Sequence, residues 1–390
     1  MKMYLKILER SKIINNETLR SNEKFDYNLP HEVERKFIPT YPESLEELKY
    51  HESAIAIEQI YLSSPDEQFS LRMRASTNTD GTAYEATLKD RGVLQENGLN
   101  RLEVTTDVTP ELYQYYAADA LAVLRKIRAE PVNDVVVDFY EDGTVQIESE
   151  NNERWQQFAE HYDVNVIEVT GLADGDNEQR AFRTSSFEPQ DHLKSEQIIK
   201  DVFEAISGDG FPVMVHIGGR SGSGKSTIVR EVSSLLEALG VSSSTLSTDD
   251  YHRGTAWLAD YNNGQPWEHW DDPIVYDIET MRGDLQRLQQ GESILRREID
   301  WTSAEPVYTS MLQPTEVMII EGIYATLPEI TASGSLVYEL PTPMATCIGR
   351  RLLRDMKERP QFADPVKSLA YMLTDAEPAY RKRRRQTTPL

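Results

Sequence analysis

Val213-Met214-Val215-His216-Ile217-Gly218-Gly219-Arg220-Ser221-Gly222-Ser223-Gly224-Lys225-Ser226-Thr227 joins an apolar run to a glycine-rich turn. Ile228 to Leu239 then repeats apolar residues at helical spacing. The run predicts a buried strand and the repeat an amphipathic helix, so the turn lies between them. Its spacing, G-x-x-x-x-G-K-S from Gly219 to Ser226, is the Walker A pattern. Glycines at 219, 222 and 224 let successive backbone N–H groups converge on an anion at the positive end of the helix. Lys225 then reaches the outer phosphates, and the Ser226 hydroxyl is a ligand for Mg²⁺. The expected ATP-binding set is Gly219, Ser221, Gly222, Ser223, Gly224, Lys225, Ser226 and Thr227.

With 390 residues the chain exceeds one ordinary core, and two domains are expected. Hydrophobic residues at 39% and charged residues at 27% supply two cores and exclude wholesale disorder. A formal net charge of -24 argues against nucleic acid or an anionic membrane as the main partner. Anionic substrates must then be held by local positive clusters. Cys347 is the single cysteine, so no intramolecular disulfide can form, which fits a reducing cytoplasmic location. Apolar runs such as Val317 to Ala325 are too short to cross a membrane, and Met1 to Asn16 lacks the pattern of a signal peptide.

Residues 1–29 read as a tail or weak helix. From His31 the chain alternates charged and apolar residues, placing Glu32, Glu34 and Lys36 on one strand face. The pattern returns at Ile55 to Leu62, at Ser70 to Arg74 with Arg72 and Arg74 together, at Tyr84 to Lys89, and at Leu99 to Asp107 with Arg101 and Glu103 together. A helix is predicted from Pro110 to about Leu124 with Thr109 as N-cap. Lys126 and Arg128 follow, and Val135 to Tyr140 with Val145 to Glu150 read as a hairpin about Asp142-Gly143, with Glu148 and Glu150 on one face. One alternating strand is ordinarily a solvated face. Six in succession, acidic and basic residues interleaved, predict antiparallel strands closing into a barrel with a polar lumen. There carboxylates hold a divalent metal and Arg or Lys bind phosphate oxygens.

Glu32-x-Glu34-x-Lys36, Arg72-x-Arg74, Lys89, Arg101-x-Glu103, Lys126-x-Arg128 and Glu148-x-Glu150 resemble, in order and spacing, the CYTH or triphosphate tunnel metalloenzyme family over residues 30–185. Glu168-Val169-Thr170-Gly171, with Asn177 beyond, is similar to that family's closing stretch. The resemblance implies an eight-stranded antiparallel tunnel that cleaves or cyclises triphosphate compounds with Mg²⁺ or Mn²⁺. It further implies that Glu32, Glu34, Glu103, Glu148 and Glu150 ligate metal, while Lys36, Arg72, Arg74, Lys89, Arg101, Lys126 and Arg128 hold phosphates. Thr105 stands where many members carry a further glutamate.

Residues 186–197 are polar and patternless and read as a linker, and Ser195 to Ile206 reads as a helix. Beyond the P-loop helix, Asp249 closes a second predicted strand, where a base for a hydroxyl nucleophile would sit or, more blandly, an Asx turn or helix cap. Val317 to Tyr324 is a buried strand ending in Glu321, the place of a second Mg²⁺ carboxylate. Arg351 and Arg354 share a helical face, solvated by default but suited to a lid. Trp257, Tyr261, Trp267 and Trp270 are read as stacking or as loop packing, and Arg381 to Arg385 as a basic end that is solvated, docked on the acidic surface or docked on phosphates in the neighbouring site. Walker A, Thr248-Asp249-Asp250-Tyr251-His252, Trp270-Asp271-Asp272-Pro273, Ile320-Glu321-Gly322-Ile323 and Arg350-Arg351-x-x-Arg354-Asp355 resemble the uridine kinase and phosphoribulokinase family in its order. The resemblance implies Asp249 as catalytic base, Tyr251, His252 and Asp271 at the acceptor, Glu321 with Ser226 on Mg²⁺, and Arg351, Arg354 and Arg359 in the lid beside Lys225. Pro360 stands after Glu358-Arg359 where uridine kinases have glycine and a further arginine, and the family's last sheet strand is not expected before Leu390.

The expected fold class is therefore an α+β eight-stranded antiparallel tunnel followed by an α/β P-loop kinase with a mostly parallel sheet over 198–390. The expected activity is ATP-dependent phosphorylation of a hydroxyl on a nucleoside or similar small acceptor, joined to metal-dependent tri- or pyrophosphate hydrolysis. Alternatively the tunnel alone is catalytic and the P-loop half is an ATP-binding regulator, or the chain is a scaffold that only binds polyphosphate. Self-association into a homo-oligomer is left open.

Overall fold

The computed structural model describes residues 30–183, 193–206, 212–300, 302–358 and 363–387. The expected N-terminal tail, most of the linker and the lid residue Arg359 lie outside the described residues.

The N-terminal half contains strands β1 (His31–Pro39), β2 (Ile55–Tyr61), β3 (Phe69–Asn78), β4 (Gly81–Asp90), β5 (Val93–Gln95), β6 (Gly98–Asp107), β7 (Ala122–Val132), β8 (Val135–Tyr140), β9 (Val145–Ser149) and β10 (Val166–Glu168). Their order is β10-β1-β9-β8-β7-β2-β3-β4-β6-β5, and β6 also pairs with β1 through Glu32↔Arg101 and Glu34↔Leu99. Eight antiparallel strands from β1 round to β6 thus close on themselves, with β5 and β10 as extensions. Closure leaves no bare edge and forces each strand's alternation into an inside and an outside.

Helix α1 (Pro110–Ala117) starts where expected, the Thr109 hydroxyl accepting from the Leu112 N–H. It ends seven residues before the expected Leu124, because Ala122 and Leu124 pair with Tyr61 and Gln59 of β2. The backbone bonds and burial gained by closing the barrel override local helix preference there. Helices α2 (Asn152–His161) and α3 (Asn177–Phe182) complete this half.

In the second half, α4 (Ser195–Ile206) precedes β11 (Val213–Gly218), α5 (Lys225–Ala238) and β12 (Ser243–Ser247). Then come α6 (Thr255–Tyr261), α7 (Ile278–Gln289), the antiparallel hairpin β13 (Ile294–Asp300) and β14 (Glu305–Leu312), β15 (Val317–Gly322) and β16 (Leu336–Glu339). The sheet runs β12-β15-β11-β16, all parallel, with no fifth strand among the described residues. β11 and β15 are buried on both faces, which explains their unbroken apolar runs.

The last three helices are α8 (Met344–Glu358), α9 (Pro365–Tyr371) and α10 (Glu377–Thr387), a π-turn at Met372–Ala376 joining the latter two. One apolar cluster runs from Phe69, Leu71 and Met73 of β3 through Tyr113 and Tyr116 of α1 to Ile348 and Leu352 of α8 and Leu369 of α9. The two halves therefore share a core. α10 adds polar links, with Arg381 pairing Glu377 and Asp119 and lying over the Tyr116 ring, and Arg383 reaching Glu329 at 2.6 Å. Of the readings of the basic end, these contacts agree with docking on acidic neighbours.

The interface is tightest at Gly349, where an added Cβ would stand 2.5 Å from the Phe69 ring. Gly349→Ala should lower stability by about 1–3 kcal/mol through overpacking. In an open helix site the same change would instead raise stability by about 0.5–1 kcal/mol. The sign of the shift in a urea unfolding midpoint decides the matter.

Candidate functional site

The P-loop curls as its glycines require. Gly219, Gly222 and Gly224 have φ of 147°, 82° and 95°, which residues with a Cβ adopt only under strain. A Cβ on Gly222 would also collide with the Cys347 carbonyl of α8. Thr342, just ahead of α8, donates to the Ser223 carbonyl at 2.8 Å, so the helix start is tied to the loop. Lys225 is buried and donates to the Gly219 and Arg220 carbonyls, 2.9 Å each. Burial lowers its pKa, with Glu321 and Asp249 acting in the opposite direction.

A cavity of about 770 Å³ opens above the loop. Its phosphate end presents Ser221, Gly222, Gly224, Lys225, Ser226 and Thr227 with Asp249 and Glu321, and its far end His252, Thr255, Trp270, Tyr276 and Thr302. Ser226, Asp249 and Glu321 are hard oxygen donors on one wall, a set that suits Mg²⁺. Burial raises the Glu321 carboxyl, while Lys225 and a 2.8 Å bond from the Ser247 hydroxyl favour its ionised form. His252 stacks on Trp270, ring centroids 5.9 Å apart. Burial and the Arg297 charge push His252 down to about 4, and its Nδ1 accepts from the Gly254 N–H, so at neutral pH the proton is on Nε2.

Three expected kinase residues sit otherwise than expected. Tyr251 does not line the cavity, because its ring is buried in the core and its hydroxyl donates to Asp284 at 3.0 Å. Asp271 does face the cavity, but both its oxygens accept from Arg351, at 2.9 and 2.8 Å, and Tyr371 donates to one of them at 2.8 Å. Arg351 is accordingly a buried ion-pair partner that also reaches Asp355. Arg354 is only partly buried, pairs with Asp355 at 2.7 Å and approaches the Ser221 hydroxyl at 3.4 Å.

The tunnel lumen is a lattice of charge. Lys89 bridges Glu32 and Glu103 at 2.6 Å each, Arg101 takes Glu32 and Glu34, and Lys36 lies between Glu34 at 3.4 Å and Glu148 at 3.3 Å. Glu150, exposed just past β9, is pushed up by partial burial and by the charges of Glu32, Glu103 and Glu34. Carboxylates that repel one another are a fit for a divalent cation, although no ready-made group of three metal ligands occurs among the described residues. Glu148 is joined to Glu34 through Lys36 and is also held by Arg128.

The cationic side is crowded in turn. Arg74 is pushed down to about 10 by burial and by Arg72 and Arg128, and Arg72 has a buried Nε with no partner among the described residues. Turned with its oxygen inward, the Gln59 amide accepts from Arg72 Nη1 at 3.1 Å and Arg74 Nε at 3.2 Å. A mouth cavity of about 370 Å³ gathers Lys36, Arg72, Lys89 and Arg101. Lys126 and Arg128 lie outside its lining and share the fully buried Asp138.

Two family models match this chain, that of the phosphoribulokinase/uridine kinase family over residues 214–387 and that of the CYTH domain over residues 30–169. A uridine kinase of Staphylococcus haemolyticus is 30% identical over 156 residues, covering 39% of this chain and 73% of that protein. The chain belongs to the phosphoribulokinase/uridine kinase family and carries a CYTH domain ahead of its kinase domain. A uridine kinase of Deinococcus deserti is 29% identical over 163 residues, covering 41% of this chain and 77% of that protein. A solved inorganic triphosphatase covers 40% of the chain and 97% of its own length at 19% identity and a TM-score of 0.27, an overlap that carries no argument. Both domains are of enzyme families that handle phosphate. Among the described residues no helix is long and apolar enough to cross a membrane.

Several residues of the two domains escape a reading of motifs. In the CYTH domain, Asp138 interrupts the apolar run Val135 to Tyr140, which was a legible sign of a lumen-facing position. Gln59, Gln146 and Glu178 gave no such sign. In the kinase domain, Tyr371 is brought to Asp271 by helix packing alone, and Arg350, in the arginine motif but without a role in it, also lines the cavity.

Burial and neighbouring cations push Lys126 down to about 7 and Lys89 down to about 8. Above those values the lysines are neutral, and a bound polyphosphate must recharge them, so its affinity should fall as pH rises from about 7 to 9. Titration of tripolyphosphate in buffers of different ionisation enthalpy should show linked proton uptake, smaller in Lys126→Arg. Equal uptake in both proteins rules out Lys126 as the source.

Proposed function

We propose that the kinase domain transfers the γ-phosphoryl group of ATP to a hydroxyl of a neutral, nucleoside-sized acceptor, and that the CYTH domain hydrolyses a tri- or pyrophosphate. The boundaries we assign are 30–185 for the tunnel and 198–390 for the kinase. One observation carries the kinase reading: the P-loop, Asp249 and Glu321 face the same cavity as the stacked His252–Trp270 pair.

In this reading Asp249 accepts the proton of the attacking hydroxyl, and Lys225 turns from the loop carbonyls to the outer phosphates. Ser226 and Glu321 would hold Mg²⁺, which would supply charge neutralisation at the phosphates. The acceptor end offers a neutral imidazole, hydroxyls and aromatic faces, which suit stacking and hydrogen bonding to an uncharged base and sugar. Arg351, locked to Asp271, organises the acceptor wall, and Arg354 is the lid arginine nearer the phosphates. In the tunnel, Lys36, Arg72, Arg74, Lys89 and Arg101 grip phosphate oxygens, Lys126 and Arg128 support them from Asp138, and Glu32, Glu34, Glu103 and Glu150 hold Mg²⁺ or Mn²⁺.

A second reading rests on the engaged state of Lys225 and Arg351, each bonded within the protein. Here the P-loop half is an ATP-responsive regulator and the tunnel is the only catalyst. A panel of nucleosides with Mg·ATP separates the two. The first reading expects nucleoside-dependent ADP formation that is abolished in Lys225→Ala and falls by about 100- to 10,000-fold in Asp249→Asn with nucleotide binding retained. Full transfer by Asp249→Asn refutes the base assignment. Tripolyphosphate hydrolysis that responds to ATP, with no acceptor phosphorylated, selects the second.

A further inference from the structure

α8 carries three arginines toward the kinase cavity, and their charges are not equally engaged. Arg351 is neutralised by Asp271 and Asp355, and Arg354 by Asp355. Arg350 pairs with no carboxylate among the described residues. Its Nε instead donates to the side-chain oxygen of Gln68 at 3.0 Å. Gln68 belongs to the other domain, in the loop between β2 and β3. The Arg350 Nη1 lies 4.0 Å from the point a Cβ on Gly224 would occupy, at the apex of the P-loop.

The loop that presents Gln68 is firmly built. Ser64 N–H donates to the Glu67 carboxylate at 2.9 Å, and Glu67 N–H returns a bond to the Ser64 carbonyl at 3.1 Å. Arg91 clamps it from below, donating to the Glu67 carbonyl at 2.7 Å and the Ser64 carbonyl at 2.8 Å. Thr346 of α8 approaches the Glu67 carboxylate at 3.4 Å, beside the Phe69–Gly349 contact. A neutral amide on so fixed a loop orients a guanidinium without cancelling its charge, leaving the terminal nitrogens for an anion.

We propose that Gln68 of the CYTH domain is a positioning residue of the kinase site, aiming Arg350 at the phosphate that sits nearest Gly224. The CYTH domain thereby completes the nucleotide site of its neighbour. The proposal rests on the reading of the P-loop cavity as a nucleotide site.

Calorimetric binding of Mg·ADP to the full chain tests it, the P-loop share of the binding being the part that Lys225→Ala removes. Gln68→Met should weaken binding by about 2- to 10-fold and Arg350→Met by roughly 10- to 100-fold. Because Gln68 acts through Arg350, the double variant should bind no worse than Arg350→Met alone. Gln68→Glu should lose more than Gln68→Met, its carboxylate competing with phosphate for the guanidinium, and thermal unfolding of each variant reports that it is folded. Additive losses in the double variant, or wild-type binding by Gln68→Met while Lys225→Ala binds nothing, overturn the positioning role. Wild-type binding by Lys225→Ala overturns the nucleotide reading and the proposal with it.

Discussion

Strand β3 has two faces and both are occupied. Its odd positions, Phe69, Leu71 and Met73, are buried against α8 and α9, and its even positions, Arg72 and Arg74, turn toward the tunnel's charge lattice. Period-two geometry permits no other division once one set is apolar and the other cationic. The wall of the tunnel is therefore also the floor of α8. On its other side the same helix meets the P-loop, with the Cys347 carbonyl over Gly222. A helix built in this way is confined between two surfaces and is not free to swing as a mobile lid does.

That confinement explains how the arginines are distributed. A helix packed against neighbours on two sides buries some of its cations, and a buried cation needs a partner. Arg351 meets Asp271 and Tyr371 stands beside them, so the loop that carries Asp271, α8 and α9 are joined at one carboxylate. The π-turn after α9 adds Asp375 against His269 of the same loop. Burial and the Asp375 charge have opposite effects on His269, and the bond to Asp375 prevails, raising its pKa.

An acidic protein with two sites for anions has no contradiction in it. Charges farther away than a Debye length, about 8 Å at physiological ionic strength, are largely screened, whereas those lining a buried lumen are not. In the tunnel, cations crowd one another near Arg72 and Arg74 while carboxylates crowd one another near Glu150. A ligand of opposite sign would relieve each crowd. A phosphate and a divalent cation together would relieve both.

The strand alternations, the P-loop and the polarity of the two halves were legible in the sequence because each is set by near neighbours: side-chain period, turn chemistry and helix spacing. The end of α1, the inward turn of Tyr251, the sequestering of Asp271 by Arg351 and the placing of Gln68 beside Arg350 were not. They depend on contacts between residues from 33 to 282 positions apart, or on a barrel closing around residues that locally favour something else. Sequence by itself determined that this chain has a phosphate-binding loop and a charged tunnel. Only the tertiary structure decided that they share one wall, because which surface covers the apolar face of β3 depends on the shapes that both halves reach after folding.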